Sequence, residues 1–121
     1  MILVDTPIWI DHLHKSEPRL VALLQDGKAF IHPYVVTELA LGNLTRRSLR
    51  AFSKLPECRV GAHWSVMEFL DRRDLHGSGV GFVDVHQLLS THLTDGLTLW
   101  TRDRRLRTVA EELGVAAVGL A

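Results

Sequence analysis

Short apolar runs alternate with longer amphipathic stretches along the chain. Ile2-Leu3-Val4 is wholly apolar and partly β-branched, the pattern of a buried strand. Asp5 closes it, and Thr6-Pro7 opens a helix, since threonine caps well and proline is tolerated in the first turn. Ile8, Trp9 and Leu13 give that helix its apolar face. A second helix is predicted over Pro18 to Gln25, ended by Asp26-Gly27. Lys28 to His32 reads as the second strand, and Pro33 to Leu41 as a helix burying Val35, Val36, Leu39 and Ala40. Further helices are predicted from about Thr45 to Leu55, His63 to Arg73, Val83 to Leu93 and Arg104 to Leu113. Leu97 to Trp100 is a third strand and Val115 to Val118 a last one. Gly77, Gly79 and Gly81 form a loop before the Val83 helix.

Strands that alternate with helices predict an α/β fold with a mostly parallel sheet flanked by helices. The length of 121 residues fits a single domain, 1–121. In such sheets ligands bind beyond the carboxyl ends of the strands. Asp5 and Asp103 both fall at such ends, and that coincidence first points to a site.

Two more acids share the same kind of setting. Glu38 lies inside a helix among Val35, Val36, Leu39 and Leu41, and Asp84 opens a helix beside Phe82, Val83 and Val85. An unpaired carboxylate beside apolar segments is costly, and four together repel. A hard divalent cation such as Mg²⁺ or Mn²⁺ would resolve the conflict with oxygen ligands. Such a site can activate water and stabilise charge on a phosphodiester in in-line displacement. Taken singly, Asp5 and Asp103 could equally be helix N-caps, and Asp84 could merely favour its helix dipole.

Composition narrows the alternatives. The net charge is zero, which argues against bulk electrostatic binding of nucleic acid. The basic residues are nonetheless clustered, with Arg46, Arg47 and Arg50 in one stretch and Arg102 and Arg104 in another, so a basic rim can surround an acidic centre. These five are the candidates for RNA phosphate contacts. A lone cysteine, Cys58, forms no internal disulfide and reads as a small buried apolar residue rather than a nucleophile. No signal peptide or membrane-length apolar run is present, so a cytoplasmic location is expected. His12 and His14 are two apart and share no helix face, and no zinc motif or Walker loop is found. Trp9, Trp64 and Trp100 have apolar neighbours that favour core or interface roles over base stacking. A receiver-type phosphotransfer domain ranks last, since no lysine follows Trp100.

Four segments together resemble the PIN-domain family, in particular the VapC-type toxins of bacterial toxin–antitoxin pairs. They are Val4-Asp5-Thr6-Pro7-Ile8-Trp9, Thr37-Glu38-Leu39, Gly81-Phe82-Val83-Asp84 and Thr101-Arg102-Asp103. The resemblance covers nearly the whole chain. It implies a PIN-like doubly wound fold, a Mg²⁺- or Mn²⁺-dependent endoribonuclease, a homodimer and a small antitoxin partner. By position it implies that Asp5, Glu38, Asp84 and Asp103 are the metal-binding and catalytic acids. Thr6 and Thr101 match positions where the family carries a hydroxyl near them. Pro7 departs from the family pattern, which has a second hydroxyl residue there. The expected reaction is attack by a metal-activated water with loss of the RNA 3′ oxygen, leaving a 5′ phosphate. A catalytically silent PIN-like module that binds RNA or protein is the alternative.

Overall fold

Leu3 and Val4 are wholly buried, and their backbone is paired on both sides. This strand, β1 (Ile2–Val4), is the centre of a three-stranded parallel sheet ordered β2-β1-β3. Strand β2 spans Ala29–Phe30 and β3 spans Thr98–Trp100. Leu3 pairs with Phe30 on one side and Leu99 on the other, and Val4 pairs with Trp100. The computed structural model describes all 121 residues. Its helices are α1 (Thr6–His14), α2 (Pro18–Gln25), α3 (Pro33–Leu41), α4 (Arg46–Phe52), α5 (His63–Arg72), α6 (Phe82–Leu93) and α7 (Arg104–Glu112).

The twofold alternation of strands sorts the core into two layers. Leu3 and Leu99 face a cluster completed by Val66 and Phe69 of α5, Val85, Leu88 and Leu89 of α6, and Leu106, Val109 and Ala110 of α7. Val4 and Trp100 face the other way, toward Ile8 and Trp9 of α1, Leu20 of α2, Val35 and Leu39 of α3, and Phe52 of α4. Helices thus cover both faces of the sheet, the doubly wound α/β arrangement expected. Each fully buried Leu or Val contributes roughly 1.5–3 kcal/mol relative to exposure. No helix is long and apolar enough to cross a membrane.

Two strands are shorter than their apolar patterns predict. Residues 28–32 yield only Ala29–Phe30, because Ile31 turns to bridge Glu57 and His32 leaves the sheet to cap α3. Val115 to Val118 forms no strand. Leu99 donates to the Val115 carbonyl at 2.7 Å and accepts from Ala117 N–H at 2.8 Å, and that single bridge is all. Val118 is then 96% exposed and the chain turns at Gly119, with φ +75°, so there is neither burial nor backbone direction to extend the ladder.

The helix starts follow the sequence closely. Pro7, Pro18 and Pro33 all sit in first turns, after side-chain caps from Asp5, Glu17 and His32. His32 is an unusual cap. It is fully buried, and its Nδ1 accepts the Tyr34 N–H at 3.0 Å. Burial first, and the neighbouring His86 ring second, hold its pKa down at about 4. The unfolded chain titrates near 6.5, so between pH 6.5 and about 4 the unfolded state binds a proton that the folded state refuses. This contribution to stability is complete above 6.5 and falls as the pH drops. Denaturant unfolding at pH 7 and pH 5 tests it against His32→Asn, which keeps a side-chain acceptor for Tyr34 but does not titrate. The variant should lose less stability on acidification; equal losses would remove His32 as the cause.

Candidate active site

Asp5 continues the line of β1, its N–H donating to the Trp100 carbonyl at 3.0 Å. Its side chain is 4% exposed. Oδ1 accepts from the Thr6 N–H and from Gln87 Nε2, each at 2.9 Å, and Oδ2 accepts from Thr101 Oγ1 at 2.7 Å. A carboxylate offers about four lone-pair sites, so three donors hold Asp5 rigidly and leave one position open. The chain passes from β1 to β2 on one side and later returns to β3 on the other. Asp5 therefore stands where the strand order reverses, the place where open α/β sheets form their ligand crevice.

The other acids reach the same crevice from three elements. Asp103 follows β3 and caps α7, its Oδ1 accepting the Leu106 N–H at 2.9 Å while Oδ2 has no protein partner. Its own N–H donates to Thr101 Oγ1 at 3.0 Å, so Thr101 ties Asp5 and Asp103 together through one hydroxyl. Asp84, in the first turn of α6, accepts the Gly81 N–H at 2.9 Å. Glu38, exposed on α3, accepts from Thr6 Oγ1 at 2.8 Å. Both threonine hydroxyls thus donate to carboxylates. Pro7 is exposed in the first turn of α1, and Thr6 supplies the backbone N–H to Asp5.

Hydrogen bonds link three of the acids: Thr6 donates to Asp5 and Glu38, and Thr101 contacts both Asp5 and Asp103. Burial is the main influence that raises the Asp84 pKa; the Gly81 N–H works against it, and the charges of Asp5, Asp103 and Glu38 add to it. None of the four takes part in an ion pair. No three acids, histidines or cysteines already close on a point where one ion would sit. The donors are nevertheless all carboxylate oxygens beside uncompensated negative charge, a set whose chemistry suits a hard divalent cation and not a soft one. A consequence concerns stability. Asp84→Asn should raise the stability of metal-free protein by about 1 kcal/mol, because it removes repulsion and keeps an acceptor for Gly81. Thermal unfolding in EDTA checks this, and a lowered melting temperature would contradict it.

The basic candidates divide. Arg46, Arg47 and Arg50 on α4 and Arg104 on α7 are exposed and form no ion pairs. Arg102 is occupied. Its Nη1 donates to Asp11 and its Nη2 to Glu17, both at 2.7 Å, while Nε donates to the Ala121 carbonyl at 3.3 Å. Three of its five N–H donors are therefore engaged within the protein, which leaves it fewer donors for a phosphate than the other four arginines have. Cys58 is buried, and that burial pushes its thiol pKa up, away from the reactive thiolate.

Sequence reading missed Gln87. It is fully buried and holds Asp5 from α6, one helical turn after Asp84. That spacing was the available signal: residues three apart share a helix face, so a buried polar residue at 87 must reach toward whatever Asp84 faces.

No protein-family model matches the chain. Two known proteins do, both named Ribonuclease VapC32, from Mycobacterium tuberculosis strains CDC 1551 / Oshkosh and ATCC 25618 / H37Rv. Each is 46% identical over 118 residues, covering 96% of this chain and 95% of the relative. Identity at that level along nearly the full length of both partners places the chain in the VapC family of ribonucleases.

Proposed function

We propose that this chain is the toxin of a toxin–antitoxin pair, an endoribonuclease that hydrolyses RNA phosphodiester bonds at Asp5, Glu38, Asp84 and Asp103 with Mg²⁺ or Mn²⁺. The observation that carries the proposal is the convergence of four carboxylates, none with a cationic partner, at the strand-order reversal. Held by these acids, a divalent cation would lower the pKa of a water and offset charge on the phosphoryl group. Asp5, immobilised by three donors, offers its remaining lone pair, and Asp103 offers its free Oδ2. Asp84 adds the oxygen that Gly81 leaves open. Glu38 is the solvent-facing member and is suited to accept the proton of the attacking water. Thr6, Thr101 and Gln87 orient the carboxylates. Water attacks phosphorus as Glu38 takes its proton, the bond from phosphorus to the 3′ oxygen breaks, and that oxygen takes up a proton from solvent, leaving a 5′ phosphate and a 3′ hydroxyl. Arg46, Arg47, Arg50 and Arg104 are the cations available to the RNA backbone.

Partners fit the same frame. A groove of about 350 Å³ runs beside Glu38, lined by Ile10, Leu13, Leu39 and Leu44 among others, and suits an apolar segment of an antitoxin. A homodimer and a cytoplasmic location belong to the same proposal.

The test uses purified protein without antitoxin, a mixed RNA pool, and Mg²⁺ or Mn²⁺ against EDTA. Metal-dependent products with 5′-phosphate ends are expected. Folded protein that cuts none of tRNA, rRNA or mRNA would instead support a silent binding module. Metal itself should raise the melting temperature, since a ligand at a hundredfold its Kd adds about 2.7 kcal/mol. Asp84→Asn should blunt that gain, and an equal gain in both proteins would take Asp84 out of the metal set.

A further inference from the structure

An exposed phenyl ring stands at the edge of the acidic crevice. Phe82 opens α6, two residues before Asp84, and is 67% exposed. Across from it is Tyr34, one helical turn before Glu38 on α3. The two rings lie nearly parallel, with centroids 5.8 Å apart and 12° between planes. The buried ring of His86 packs against both, at 4.7 Å from each, and His32 supports Tyr34 at 4.8 Å. The pair thus rests on two buried histidine rings before anything binds. A cleft of about 310 Å³ adjoins it, lined by Tyr34, Thr37, Glu38, Phe82 and Val83. Glu38 belongs both to this cleft and to the acidic site, so the two are continuous.

Flat, rigid rings beside a phosphodiester-cleaving centre suit one occupant above others. Unpaired bases stack on aromatic side chains, whatever their sequence, because every base has a π face. A side chain already locked by its neighbours loses little entropy on binding. An apolar protein segment would gain more from a continuous hydrophobic surface. On the side of the acidic crevice Phe82 shares its cleft with Thr37 and the charged Glu38, whereas the apolar cleft it lines with Met67, Val80 and Val85 lies on the α5 side.

We propose that Phe82, backed by Tyr34, is a base-stacking subsite that holds an unpaired nucleobase of the RNA substrate next to the scissile phosphate. The proposal rests on the ribonuclease reading above. It makes Phe82 a binding and positioning residue, outside the chemistry itself.

Two measurements keep the two readings apart. In the first, cleavage of short single-stranded RNA is followed with Phe82→Ala, Phe82→Leu, Phe82→Tyr and Phe82→Trp. Loss of the flat ring in Phe82→Ala and Phe82→Leu should raise KM about ten- to a hundredfold with kcat little changed, and the aromatic replacements should restore KM. Trp64→Ala, which removes an exposed aromatic from α5, should leave KM as it was. In the second, RNA containing the fluorescent base 2-aminopurine is titrated in EDTA, where nothing is cut. Quenching by the unmodified protein and its loss in Phe82→Ala would establish stacking even if no cleavage were ever seen. Phe82→Leu that performs like the unmodified protein would overturn the subsite. So would unchanged KM and quenching in Phe82→Ala, or a shift of Phe82→Ala from dimer to monomer in sedimentation without change in RNA binding, which would make a second copy the occupant.

Discussion

Asp5→Asn is expected to slow RNA cleavage by about a hundred- to a thousandfold and to leave the fold intact. The size is that of losing one fixed charged group from a site that would act, as proposed above, by electrostatic preorganisation. The intact fold follows from the hydrogen bonds. An asparagine oxygen can still accept from the Thr6 N–H and Gln87, which now meet Oδ1. The new amide would face Thr101 Oγ1, a hydroxyl that can turn to accept. The substitution also discharges a buried group that has no cationic partner, which offsets the less favourable geometry. Initial rates at saturating metal, with thermal unfolding of the same samples, make the comparison. A folded Asp5→Asn protein that cleaves within about tenfold of the original would remove Asp5 from the chemistry.

The largest stability effect is expected at Trp100. Its ring is wholly buried on β3, in the layer containing Val4, Ile8 and Trp9, and its indole N–H has no acceptor. Its contribution is therefore packing rather than hydrogen bonding. The Arg19 and Arg102 guanidinium groups lie 5.3 and 5.7 Å from the ring centre and add cation–π attraction. Trp100→Ala should cost about 3–5 kcal/mol, a large share of the ~5–15 kcal/mol typical of a domain. The melting temperature should fall by roughly 10–20 °C. Trp64→Ala offers the contrast. That side chain is 76% exposed, and its loss should change stability by no more than about 0.5 kcal/mol. Denaturant midpoints of the two variants decide the matter, and similar losses would mean that burial does not set the ranking. Trp100 also supports the site, because its carbonyl receives the Asp5 N–H.

Those two tryptophans show what the sequence could and could not convey. Trp9 and Trp100 lie in apolar surroundings and are core, as their neighbours suggested. Trp64 has a similar apolar neighbourhood in sequence and is exposed, because helix rotation, not local composition, decides which face is buried. Helices were legible because proline, capping residues and 3.6-residue periodicity all act locally. The last strand was misread, since a ladder needs a partner that only the tertiary fold supplies. At the site, the positions of Asp5 and Asp103 at strand ends were readable; each also caps a helix, α1 and α7, and the Thr101 hydroxyl is hydrogen-bonded to both residues. Gln87 and the engagement of Arg102 were hidden because both depend on residues more than eighty positions away.

The double duty of Asp5 and Asp103 has a genetic consequence. Each holds a helix start as well as a place in the crevice, so many replacements that remove the carboxylate also uncap a helix. Glu38 sits on the solvent side of α3 and caps nothing; its one hydrogen bond comes from Thr6. In a growing culture where cleavage is harmful, survivors that still accumulate the intact, soluble protein should therefore carry changes at Glu38 more often than at Asp5 or Asp103. Lesions at the two capping acids should be found more often among survivors in which the protein has been degraded.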